Sequence, residues 1–188
     1  GVEVEFLDVQ KNGLVDLSSL EKKLNGVGLL SVMYVNNEIG IVQPIQEISK
    51  LTRSKGVIFH SDIAQAMGRL PINLETLSLD AVSISGHKFY GPQGIGLAIL
   101  NQELKSILKP IIVGGGQQSN LRSGTLPTAL CAGISKSVEL FQNSNFLKRQ
   151  YEEHYYLYSY FIQKLEQAKI QFSVNGAKPS EIISVTSR

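Results

Sequence analysis

Apolar residues recur along the chain in two rhythms, a period of two and a period near 3.6, and the order in which these alternate sets the expected architecture. Val2, Val4 and Phe6 alternate with Glu3 and Glu5, which predicts a half-exposed strand, and Asn12-Gly13 marks a turn. Ser18, Ser19, Leu20 and Glu21 have capping-box spacing and predict a short helix ending near Asn25-Gly26. Leu29 to Tyr34 is a continuous apolar run of strand length, suited to a strand covered on both faces. A helix is expected from Pro44 to Lys55, closed by Gly56, and a strand from Val57 to His60. Leu74 to Leu79 leads into an alternating strand from Asp80 to Ser85, and Gly96 to Leu100 is one more strand.

In the second half, Leu130, Ile134, Val138 and Phe141 recur at helical spacing, as do Tyr151, Tyr155, Tyr158, Ile162 and Leu165, whose tyrosines are expected as packing residues. Ile170 to Val174 and Ile182 to Val185, split by Asn175-Gly176, predict two short strands. The strand-helix alternation implies an α/β fold, a mostly parallel sheet with helices on both faces. Residues 1–144 are expected to form this large domain, and 145–188 a linker helix and the start of a small α+β domain.

Composition narrows the function classes. The 188 residues are enough for one domain plus part of another, and 43% hydrophobic with 18% charged residues is ordinary globular usage. Eighteen basic and 16 acidic residues are scattered without a run, giving no electrostatic footprint for nucleic acid. No apolar stretch reaches membrane-spanning length, and the opening GVEVEFL shows no signal-peptide pattern. A lone cysteine, Cys131, cannot form an internal disulfide and is expected as a buried structural thiol in an apolar helical pattern. A cytoplasmic protein with no metal site, no nucleic-acid partner and no membrane partner is expected.

If the strands run parallel, Asn37, Asp62, Gln65 and Lys88 all fall at one edge of the sheet, the carboxyl edge where open α/β sheets bind ligands. Lys88 follows a strand and precedes a turn carrying Gly91, Pro92, Gly94 and Gly96, glycines that would let the backbone approach a ligand such as a phosphate. Taken singly, Lys88 reads as a solvated loop lysine and Asp62 as a helix cap or turn residue. The GGGQQ run from Gly114 to Gln118 lacks the Lys-Ser/Thr of a P-loop and the strand-turn-helix setting of a dinucleotide fingerprint.

Four ordered blocks carry a family resemblance: VNNEIG (Val35 to Gly40), HSDIAQ (His60 to Gln65), SGHKFYGPQGIG (Ser85 to Gly96) and GGGQQSNLRSGT (Gly114 to Thr125). Together they resemble the IscS/NifS-like cysteine desulfurases of the class V aminotransferase group. The resemblance implies pyridoxal 5'-phosphate (PLP) as cofactor, with Lys88 as the lysine that holds it. It further implies Asp62 on the pyridinium nitrogen, Asn37 and Gln65 on the phenolic-oxygen side, and Ser85, Gly86 and His87 at the phosphate. Thr125 would reach the phosphate of a neighbouring subunit in a homodimer, although Ser123-Gly124-Thr125 also suits a helix cap. His60 is expected as a supporting or packing histidine.

The implied reaction takes the sulfur from L-cysteine, leaves L-alanine, and passes the sulfur as a persulfide to an iron-sulfur scaffold or another acceptor protein. Ile63 stands where the family commonly has Ala, Gln93 where Lys is frequent, and Gln118, Ser119 and Asn120 where a different polar set is usual. The family's N-terminal phosphate contacts and its mobile-loop cysteine have no counterpart, and Cys131 does not match the latter, so a fragment is expected. Two further readings stay open: another PLP lyase or transaminase on the same fold, or a non-catalytic remnant that keeps the fold and dimer surface.

Overall fold

Asp16 starts the first helix. Its Oδ1 accepts from the Ser18 amide at 2.9 Å, the Ser19 amide at 3.1 Å and the Ser18 hydroxyl at 2.7 Å, at the head of α1 (Leu17–Lys23). The cap therefore lies upstream of the box expected at Ser18, because an ionised carboxylate takes the orphan amides better than a hydroxyl does. The Ser18 hydroxyl is also the main cause holding the Asp16 carboxyl below its usual range.

The structure is a computed structural model that describes residues 1–142 and 144–177. After α1 come β1 (Leu29–Ser31), α2 (Ile45–Lys55), β2 (Ile58–Asp62), α3 (Leu74–Leu77) and β3 (Ala81–Ser85). A single 3-10 turn (Gly86–Phe89) leads to β4 (Gly96–Leu100), α4 (Gln102–Ile107), α5 (Thr128–Phe141) and α6 (Ser144–Gln167). Pro44 stands at the N-cap of α2, one place ahead of the first helical position expected for it. Gly56 ends that helix as expected, in the left-handed region at φ 66°.

Two expected strands are not formed. Val2, Val4 and Phe6 are 91%, 70% and 85% exposed in a stretch without a partner strand among the described residues, and the nearest pairing is an isolated bridge from Val9 to Val15. Alternation alone does not make a strand when no neighbour takes its backbone bonds. Ile170 to Val174 is likewise irregular, and Ile182 to Val185 lies outside the described residues.

The sheet order is β1-β2-β3-β4, parallel across the first three strands and antiparallel between β3 and β4. Parallel strands supply the expected architecture. The last strand reverses because the turn after Lys88 is too short for a crossover.

Side-chain alternation divides the sheet into two faces. Leu30 and Val32, then Phe59, then Val82 and Ile84 all point one way, into two clusters that also hold Leu20 and Leu24 of α1, Ile45 and Ile48 of α2, Leu77 of α3 and Ile134 of α5. The sequence predicts helices on both faces, but α1, α2, α3 and α5 all pack into this one. Accordingly β1 buries alternate residues only: Leu30 is 7% exposed, whereas Leu29 and Met33 are 59% and 43% exposed.

At the amino end of β3, Asp80 staples three strands. Its Oδ2 accepts from the Phe59 amide at 2.8 Å and its Oδ1 from Asn101 Nδ2 at 2.6 Å, and the Asp80 carbonyl accepts from the Asn101 amide at 2.8 Å.

Candidate functional site

The carboxyl ends of β2 and β3 bring Asp62 and Lys88 to one edge. Asp62 is the last residue of β2 and the register partner of Ser83, and the Ile63 amide donates to the Ser83 carbonyl at 3.0 Å. Lys88 sits in the 3-10 turn that continues β3. Both side chains are exposed. Asp62 Oδ1 accepts from the Ala64 amide at 2.8 Å, which leaves Oδ2 without a partner among the described residues. Lys88 forms no ion pair among them, and its carbonyl accepts from Arg69 Nη1 at 3.4 Å. The same Arg69 atom donates to the Gln65 carbonyl at 3.3 Å, so one guanidinium links the segments after β2 and β3.

On the face away from the helices, Asp62 and His60 of β2 lie beside Ser83 and Ser85 of β3. His60 Nδ1 is 2.8 Å from Ser31 Oγ and its Nε2 is 3.2 Å from Ser83 Oγ. The packing role expected for His60 is thus a polar one on the open face. His87 is exposed beside Lys88, and Ser85 is half-buried at the head of the turn.

Asn37 and Gln65 meet elsewhere along the same edge, lining a cavity of about 480 Å³ between the loop after β1 and helix α6. Arg69, Gln150, Tyr151, His154 and Tyr158 are among the other residues that line it. Burial is the main cause that pushes the Tyr151 phenol up, with neighbouring Tyr155 adding to it. Tyr151 and Tyr155 stack with centroids 6.4 Å apart but are 42% and 43% exposed, while Tyr158, Ile162 and Leu165 are half-buried, so only the later part of the expected stripe packs. Helix α6 also reaches the lysine turn, where Gln150 Nε2 donates to the Tyr90 hydroxyl at 2.8 Å.

The glycines have a different explanation from the one expected. A Cβ on Gly86 would lie 2.9 Å from the Ile95 carbonyl, on Gly91 2.7 Å from the Gly86 carbonyl, and on Gly96 2.8 Å from the Ile84 carbonyl. Chain-on-chain packing, with no ligand needed, excludes side chains there. Thr125 is exposed on the irregular stretch between α4 and α5 and makes no hydrogen bond to the other candidates. That stretch is knitted by the Ser123 amide to the Ile112 carbonyl at 3.0 Å and by the Gly124 amide to Gln117 Oε1 at 3.0 Å. Gln118, Ser119 and Asn120 follow one another at φ 52°, 58° and 63°. Cys131 is half-buried, more open than the structural thiol expected.

A family model described as aminotransferase class V matches residues 1–188. The chain belongs to the class V aminotransferases. It is 40% identical over 179 residues to the cysteine desulfurase IscS of Rickettsia rickettsii, a match covering 95% of this chain and 43% of that protein. Among solved structures it resembles the NifS-like protein of Rickettsia africae, with a TM-score of 0.79 and 36% identity over 86% of this chain and 45% of that one. It also resembles SspA solved in complex with cysteine, with a TM-score of 0.71 and 38% identity over 74% of this chain and 40% of that one. The chain spans less than half the length of these relatives.

Class V aminotransferases and cysteine desulfurases depend on PLP, and the donor set at this edge fits such a group. Among the described residues a carboxylate oxygen at the end of β2 has no partner and a primary amine without an ion pair follows β3, while the amides of Asn37 and Gln65 line a separate cavity farther along the same edge. PLP when bound supplies an electron sink for breaking bonds next to an amino-acid α-carbon. Sequence reading missed Arg69 and the α6 side of the cavity. For Arg69 the only signal was its nearness to Gln65, and nothing local foretells that its guanidinium reaches the Lys88 carbonyl.

Proposed function

We propose that this chain is the cofactor-binding part of a cytoplasmic, PLP-dependent cysteine desulfurase. The observation that carries the reading is the emergence of Asp62 and Lys88 from neighbouring strands at one edge, with Asp62 Oδ2 unpartnered among the described residues. In this reading Lys88 holds the cofactor, Asp62 pairs with its ring nitrogen, and Asn37 and Gln65 bond its phenolic-oxygen side. Ser85, Gly86 and His87 surround its phosphate, and Thr125 serves the phosphate of the partner in a homodimer. L-cysteine gives up its sulfur and leaves as L-alanine, and the sulfur passes as a persulfide to an iron-sulfur scaffold or another acceptor protein. The relative solved with cysteine supports this choice of substrate.

The test is spectroscopic. The full-length protein, mixed with PLP, is expected to develop a visible band that borohydride fixes to the chain, and Lys88→Ala abolishes it. Alanine release from L-cysteine then distinguishes a desulfurase from another lyase or transaminase. A protein that stays colourless with PLP would instead be a non-catalytic remnant.

A further inference from the structure

His60 bonds at both ring nitrogens, and each partner belongs to a different strand: Ser31 of β1 at 2.8 Å and Ser83 of β3 at 3.2 Å. One half-buried imidazole therefore links all three parallel strands, straight across to Ser31 and diagonally to Ser83, which lies opposite Asp62. A neutral imidazole has one donor and one acceptor, so the row is satisfied with one hydroxyl donating to the ring and the other accepting from it. Asp62 follows on the same face of β2, beside Ser83. Beyond this row the strand ends are joined by single backbone bonds, from the Tyr34 amide to the Asp62 carbonyl at 2.8 Å and from the Ile63 amide to the Ser83 carbonyl at 3.0 Å.

The sheet does not need this row to hold together. Its packed face is fixed by two apolar clusters, and Asp80 already staples β2, β3 and β4 at the other end. Ser31 is exposed and Ser83 half-buried, so both hydroxyls could turn to water at little cost. What the row adds is a set lateral spacing at the end from which the carboxylate and the lysine emerge. We propose that His60 is a positioning residue whose two hydrogen bonds hold β1, β2 and β3 in line and thereby fix the Asp62 carboxylate relative to the Lys88 turn. The inference rests on the cofactor reading above for its function, and on the geometry alone for the clamp.

Two variants test it in the full-length protein. His60→Phe keeps the ring and loses both bonds, whereas His60→Gln retains a donor and an acceptor. In the apo protein, His60→Phe is expected to speed hydrogen exchange at the Tyr34 and Ile63 amides about tenfold, with His60→Gln restoring most of the protection. With PLP added, His60→Phe is expected to weaken binding about tenfold and to shift the visible band, and His60→Gln to bind within about threefold of the parent. The melting temperature of the apo form should change by no more than about 3 °C. Unchanged exchange in His60→Phe overturns the clamp, and so does a His60→Gln variant no better than His60→Phe. A fall in affinity matched by a collapse in melting temperature overturns the positioning role in favour of a structural one. If the parent itself shows no lysine-dependent band, the cofactor reading falls, and the exchange measurement on the apo protein still decides the clamp.

Discussion

The two faces of the sheet are made by alternate residues of the same strands, yet they do opposite work. On one, Leu30, Phe59, Val82 and Ile84 disappear into helix-packed clusters; on the other, Ser31, His60, Asp62, Ser83 and Ser85 stay polar and reachable. Moving one residue along β2 exchanges the 0% exposed Phe59 for a histidine with two hydrogen-bond partners. Stability is concentrated on the first face and chemistry on the second, so substitutions should separate the two.

The largest effect is expected from Phe59→Ala, which empties the centre of the first cluster and should cost about 3–5 kcal/mol in denaturant unfolding. A loss under 1 kcal/mol would mean that the clusters do not anchor the fold. Gly86→Ala comes next, because its Cβ would meet the Ile95 carbonyl at 2.9 Å and Ile134 Cδ1 at 3.2 Å where the sheet end touches α5. We expect about 1–3 kcal/mol of destabilisation, measured the same way, together with weaker PLP binding from a displaced lysine turn.

Ser61→Ala sharpens the contrast from the other direction. Ser61 is fully buried on the packed face and its Oγ has no hydrogen-bond partner among the described residues, so removing it should stabilise the protein by about 1 kcal/mol. A destabilised variant would reveal a partner for that hydroxyl. Lys88→Ala, on an exposed side chain, should leave unfolding within about 0.5 kcal/mol of the parent while removing the visible band altogether. If it unfolded the protein, the separation between faces would be wrong.

Much of this division was legible in the sequence. The α2 helix with its Gly56 cap, the strand ending at Ser85, a second strand read as ending at His60 that runs on to Asp62, and the shared edge for Asp62, Gln65 and Lys88 follow from periodicity and punctuation, which are local. The direction of β4 was not read from the sequence, although the short turn from Gly91 to Ile95 cannot carry a crossover. What failed was non-local. Val2 to Phe6 has the rhythm of a strand but no neighbour among the described residues, and the apolar run LLSVMY suggested two covered faces where the described structure covers one. The cavity at Asn37 and Gln65 requires the approach of α6, more than a hundred residues downstream of the loop it meets. The bare glycines looked like room for a ligand, and the neighbouring carbonyls give Gly86, Gly91 and Gly96 a second reason to lack a side chain.

The pairing of Ser85 with Gly96 closes the intervening segment into a loop of fixed circumference. A residue inserted between them either bulges out within the loop or slips β4 by one place, turning Leu97 and Ile99 outward and Ala98 inward. Any rescaling of this region is therefore felt first by the lysine it carries, and grafted or lengthened sequence belongs elsewhere, in the Gly114 to Thr125 stretch, whose ends are not locked to paired strands.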